Sequence, residues 1–188
     1  MNITERIKGI LLKPKEEWQT IAGETTPIPE LYKNYIIILA AIGPVASFIG
    51  MSLFGVSLPT GVTLRVPIAS GIITAVVQYG LTLVGVYILA IIIDALAPSF
   101  SGEKNLNQAF KLAMYSCIPG WLVGIFALIP ALGVFGILGL YGLYLLYVGL
   151  PVLMKSPKEK STVYAIAVII AAIILFAVTG AISRVFIA

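Results

Sequence analysis

Between Lys111 and Lys155 the chain carries no charged residue, and so long an apolar interval has few places to go. An α-helix rising 1.5 Å per residue needs about 20 apolar residues to cross the ~30 Å hydrocarbon core of a bilayer. The interval is long enough to cross twice. The sequence ALIPALG, residues 127–133, places a proline and a glycine where a tight reversal belongs. A helical hairpin over about residues 108–128 and 132–154 is therefore predicted. Its second arm carries Gly133, Gly136, Gly139 and Gly142 every third residue, with Tyr141, Tyr144 and Tyr147 at the same spacing. Its first arm carries the GxxxG pair Gly120 and Gly124. In lipid such small residues let backbones approach closely, so these six glycines are the expected helix-packing positions.

The rest of the composition agrees. The chain has 188 residues, of which 60% are hydrophobic and 11% charged, with a mean hydropathy of +1.06. That balance is outside the range of soluble domains. The expected fold class is all-α, a polytopic membrane helical bundle of five transmembrane helices preceded by short interfacial amphipathic helices. A net charge of +4 does not point to nucleic acid, because the basic residues flank apolar runs and form no stripe of their own. There is no histidine, which removes the commonest general base and zinc ligand together. No pair of facing carboxylates is available for aspartyl chemistry, and the lone Cys117 reads as a small buried hydrophobe. No catalytic residue, cofactor or metal is expected, and the chain reads as a non-enzyme.

Residues 1–34 are polar, with no apolar stretch before a small-residue cleavage site, so no signal peptide is expected. Within them Ile3, Ile7, Ile10 and Leu11 recur at helical spacing opposite Glu5, Lys8 and Lys13. Pro14 and Gly23 bracket a second short helix whose apolar edge carries Trp18. Both helices are expected at the membrane surface, with Ile3, Ile7, Ile10, Leu11 and Trp18 facing lipid; the alternative is packing against the protein's own loops. An extended connector over residues 24–34 then leads to a five-span domain, residues 35–188. Its first span, 35–54, contains Pro44; the second starts at Pro67, reaches about Ala95 and carries Gln78, Thr82 and, at its end, Asp94. Asn105 or Asn107 is the expected cap of the third span, in which Pro119 follows Tyr115 and Ser116. The fifth span is expected over residues 162–183. Gln78, Asp94, Tyr115, Ser116 and Pro119 are the candidate polar and functional positions.

Counted over alternate sides of five spans, ten of the twelve Lys and Arg residues fall with the N-terminus and only Arg65 and Arg184 opposite. The positive-inside rule then places the N-terminus in the cytoplasm and the C-terminus outside a cell membrane.

Several stretches resemble the Yip (Ypt-interacting protein) family of five-span membrane proteins: LLKPKEEWQTI from Leu11, the pair Ser101 and Gly102, AFKLAMYSCIP with Tyr115, Ser116 and Pro119, and the glycine-rich fourth span. The resemblance runs from about Leu11 to Ser183. It implies a cytoplasmic N-terminus and, among eukaryotic relatives, vesicle traffic through small GTPases. Those relatives carry a long cytosolic segment where this chain has 34 residues, so a GTPase partner is not expected. The expected function is a non-enzymatic membrane scaffold acting through helix and lipid contacts, with the bilayer, itself or other membrane proteins as partners. The alternative is a channel or transporter for a small solute, favoured by the prolines of spans one and three and by Gln78, Thr82 and Ser116.

Overall fold

The computed structural model describes residues 2–57 and 60–185. Two short helices, α1 (Ile3–Leu12) and α2 (Pro14–Gly23), precede five helical segments long and apolar enough to cross a membrane. Those spans are Ile28–Phe54, Ile68–Phe100, Leu106–Leu128, Pro130–Leu153 and Lys158–Ser183. One turn between spans one and two pairs two-residue strands, β1 (Val56–Ser57) with β2 (Thr63–Leu64), antiparallel. The expected all-α membrane bundle is thus the observed one. The end carrying α1, α2 and the loops 101–105 and 154–157 is called the hairpin end below, and its opposite the far end.

Prolines account for several departures from regular helix. Proline lacks an N–H and its ring clashes with the carbonyl four residues back. In span one Pro44 falls four residues after Ala40, and the helix is interrupted between Leu39 and Ile42 before resuming to Ile49. Pro27 and Pro29 do not extend the chain as expected. Both sit where a helix tolerates proline, Pro27 at the N-cap and Pro29 in the first turn. The helix therefore begins at Ile28, and the connector is four residues long instead of eleven. In span three the helix passes Pro119 and then tightens to 3₁₀ over Gly124–Leu128.

Span four is the least conventional. Pro130–Leu140 is a 3₁₀-helix, and α-helix starts only at Tyr141. A 3₁₀-helix has three residues per turn and rises about 2.0 Å per residue. Eleven residues then cover roughly 22 Å, where α-helix would cover roughly 16 Å. Because the turn is three residues, Gly133, Gly136 and Gly139 stand in one column. This corrects the expectation that the six glycines all pack. A Cβ added at Gly133 or Gly136 meets nothing within 4 Å, so that part of the column is a bare wall. At Gly139 it would lie 3.3 Å from the Gly120 Cα, and at Gly142 it would run into the Ser116 carbonyl oxygen. Gly124 packs on span one, its added Cβ 2.9 Å from the Gly43 Cα. Within span four the tightest side-chain contact involves Gly149, whose added Cβ would be 2.6 Å from Leu112 and 2.8 Å from Trp18.

The core gathers at the hairpin end. Ile10, Trp18, Ile93, Phe110, Met114, Leu145 and Tyr164 are completely covered, whereas Val134, Ile137, Ile173 and Phe176 of the far half are exposed. Loops tie this end together. Ser101 turns left-handed at φ 56°, Gly102 passes so close to Met154 that a Cβ would lie 2.8 Å from its carbonyl oxygen, and the Glu103 amide donates to that oxygen at 2.8 Å. Lys155 and Lys160 close the junction through Glu103 and Ser101.

These contacts rank the glycines. Gly149→Leu and Gly142→Leu should each lower stability by about 1–3 kcal/mol through overpacking, while Gly136→Leu should leave thermal melting in detergent unchanged. Equal melting of all three variants would show that the fourth span does not pack as described.

Candidate functional site

Two features bring polar side chains together. The first is a buried charged node beneath α1 and α2. Arg6 is 2% exposed and Lys111 only 1%, and a buried charge is costly unless paired and hydrogen-bonded. Both are paired here, although Arg6 Nε is enclosed without a partner. Arg6 donates to Glu17 at 2.5 Å and to Glu24. Burial opposes its charge, but the fields of Tyr115, Glu24 and Glu17 outweigh this, and the guanidinium pKa is raised above the ordinary arginine value.

Lys111 donates to the Ile21 carbonyl at 3.0 Å and to the Glu24 carbonyl. Gln108 reaches the Ala22 carbonyl at 2.9 Å and Asn107 the Thr26 carbonyl at 3.2 Å. The last carbonyls of a helix have no partner within it, and its C-terminus carries partial negative charge. The first turns of span three therefore cap α2 with an ammonium and an amide, and Asn107 ties down the connector that follows. Asn105 caps span three itself, accepting from the Gln108 amide at 3.1 Å. The Tyr141 hydroxyl does the same service for α1, donating to Leu11 at 2.9 Å. Trp18 lies against Tyr115 edge-on at 6.0 Å, and Tyr35 against Tyr115 at 5.6 Å.

This arrangement replaces the expected membrane-surface role. Trp18 and Ile10 are wholly covered by protein, and Ile3, Ile7 and Leu11 are half-buried against the same core. Periodicity revealed the apolar stripe but not what covers it. The node itself was missed, although signals existed: Arg6 lies within the stripe, three residues after Ile3 and four before Ile10, and Lys111 lies inside a span.

The second feature is a cavity of about 620 Å³ among spans two to five. Gln78 and Ser116 both line it, together with Thr82 and Cys117, and so do Gly120, Gly136, Gly139 and Gly142. Ser116 Oγ is enclosed without a hydrogen-bond partner. Of the other candidates, Tyr115 belongs to the node and Pro119 is buried. Asp94 joins neither feature. It is half-buried, its Oδ1 is enclosed and unbonded, and its electrostatic neighbour is Tyr164.

A model of the Yip1 domain family matches residues 8–179, nearly the whole chain. The chain belongs to the Yip1 domain family. It is 30% identical over 122 residues to the inner membrane protein YohC of Escherichia coli strain K12, and equally to that of the O6:H1 strain, the match covering 65% of this chain. The chain spans 63% of the length of the curated relatives it matches. No solved structure matches. With five candidate spans and an inner membrane relative, this Yip1-family chain is a multi-pass cell-membrane protein. The stretches that carry the family resemblance are those that build the node and its junction: Trp18 and Glu17, Ser101 and Gly102, Lys111 and Tyr115.

Proposed function

We infer that this Yip1-family chain is a non-enzymatic membrane scaffold, a membrane-organising protein that acts through helix and lipid contacts. One observation carries the reading. The cavity ends, toward the hairpin end, at Val86, Leu89, Leu146 and Val168. Beyond them Ala90, Ile93, Ala113, Leu150 and Tyr164 are 0% exposed, and α1 and α2 lie across the spans beneath. A permeation route would have to part this close-packed layer, and interiors of that kind do not deform continuously. The rigid hairpin end is suited to presenting a fixed polar face, built from Lys8, Lys13, Lys15, Lys33 and Lys158, all exposed.

The cavity is what favours the alternative, a channel or transporter for a small solute, since Gln78 and Ser116 face it. Reconstituted vesicles separate the two. Stopped-flow light scattering should show no faster entry of glycerol or urea than in protein-free vesicles; saturable entry abolished by Gln78→Leu would replace the scaffold with a transporter.

The orientation belongs to the same proposal. With ten basic residues on the side of the N-terminus and two opposite, the hairpin end is cytoplasmic and the C-terminus external. Reporter fusions should be active as cytoplasmic tags at the N-terminus and beside Lys158, and as external tags after Ala188. A C-terminal fusion active only in the cytoplasm would reverse this.

A further inference from the structure

The far-half cavity contains almost no free hydrogen-bonding capacity. At ~30 Å³ per molecule, its 620 Å³ corresponds to about 20 waters, each needing two to four polar partners. Most hydroxyls on its wall are turned into their own helices. Thr82 donates to the Gln78 carbonyl at 2.8 Å, Thr179 to Phe176 at 3.0 Å and Ser183 to Thr179 at 3.0 Å. The Gln78 amide, the Trp121 indole N–H and the unbonded Ser116 hydroxyl remain, far too few to hold such a volume of water.

Along span two the cavity runs from Gln78 to Leu89, about 16 Å at 1.5 Å per residue. The space is long and apolar. It opens sideways, because Leu140 and Leu143 of span four and Ile173 and Phe176 of span five line it and are also exposed, by 58%, 40%, 61% and 62%. The 3₁₀ stretch Pro130–Leu140 packs on span three and leaves the edge toward span five open. The wall opposite a chain in that slot is backbone. Gly85, Gly136 and Gly180 line the cavity, and a Cβ on any of them meets nothing within 4 Å.

We propose that this cavity is a binding site for one acyl chain of a membrane phospholipid, which enters between spans four and five and lies along the glycine wall. The lateral opening is continuous with the lipid-facing flank of the far half, so the bilayer itself supplies the occupant. The chain restores the dispersion contacts that spans four and five do not make with each other there.

The protein carries its own reporters. Trp121 and Cys117 both line the cavity, while Trp18 is 0% exposed within the hairpin-end core. In nanodiscs of phosphatidylcholine brominated at mid-chain, the fluorescence of the full chain should be quenched, and Trp121→Phe should remove the quenchable part. Gly85→Leu and Gly180→Leu fill the slot where space is open, so both should keep wild-type melting while quenching of Trp121 falls toward the Trp121→Phe level. Cys117 should resist a charged, membrane-impermeant thiosulfonate. The proposal is overturned if the wild type is not quenched, or if the two glycine variants melt normally and are quenched as fully as the wild type, which would assign the signal to ordinary surrounding lipid. Rapid labelling of Cys117 would overturn it independently by showing a water-filled cavity.

Discussion

The ammonium of Lys111 holds the carboxy end of α2 onto the bundle, and the hairpin end depends on it. Its two acceptors lie at the end of α2: the Glu24 carbonyl just beyond the helix, and the Ile21 carbonyl, which also accepts the capping Glu24 amide at 3.2 Å. Each buried group left unpaired would cost about 1–3 kcal/mol. Docking α2 in this way puts Trp18 against Tyr115 and Gly149 and brings Glu17 and Glu24 to Arg6. The short helices, marginal by themselves at ten residues each, are thereby made part of the core. A lysine at the mouth of a span, which is expensive to bury, is partly compensated by the helix end it caps.

The two halves of the bundle follow different rules. At the hairpin end, aromatic and aliphatic side chains interdigitate around the node and the loop containing Ser101 and Gly102 locks onto Met154. At the far end, the glycine column of span four presents no side chains, and a 3₁₀ stretch covers that part of the span with fewer residues than α-helix would need. One end is suited to hold a fixed shape, the other to accommodate lipid. Span four belongs to both, and the change occurs where Leu140 gives way to Tyr141 and the helix relaxes from 3₁₀ to α.

The five spans were legible because an apolar run must cross a bilayer and each was bounded by proline, glycine or lysine. The Asn105 cap and the reversal near Pro130 were legible for the same local reasons. The docking of α1 and α2 was not, because an amphipathic stripe looks alike whether lipid or protein covers it; only Arg6 within the stripe signalled a buried partner. The glycine column was misjudged because its spacing was read on an α-helix, where residues three apart drift around the surface, and not on the 3₁₀-helix that brings them into line. Gln78 and Ser116 were singled out as polar positions within spans, but that both line one cavity emerges only from the packing of spans two to five.

The central claim is that α1 and α2 are an integral part of the bundle, held by Lys111. Hydrogen exchange of the intact protein in lipid nanodiscs tests it directly. Amides of both helices should be protected to the same degree as those at the start of span three, and Lys111→Met should release α1 and α2 selectively while spans two to five stay protected. Exchange of α1 and α2 within seconds in the wild type, or their unchanged protection in Lys111→Met, would contradict the account.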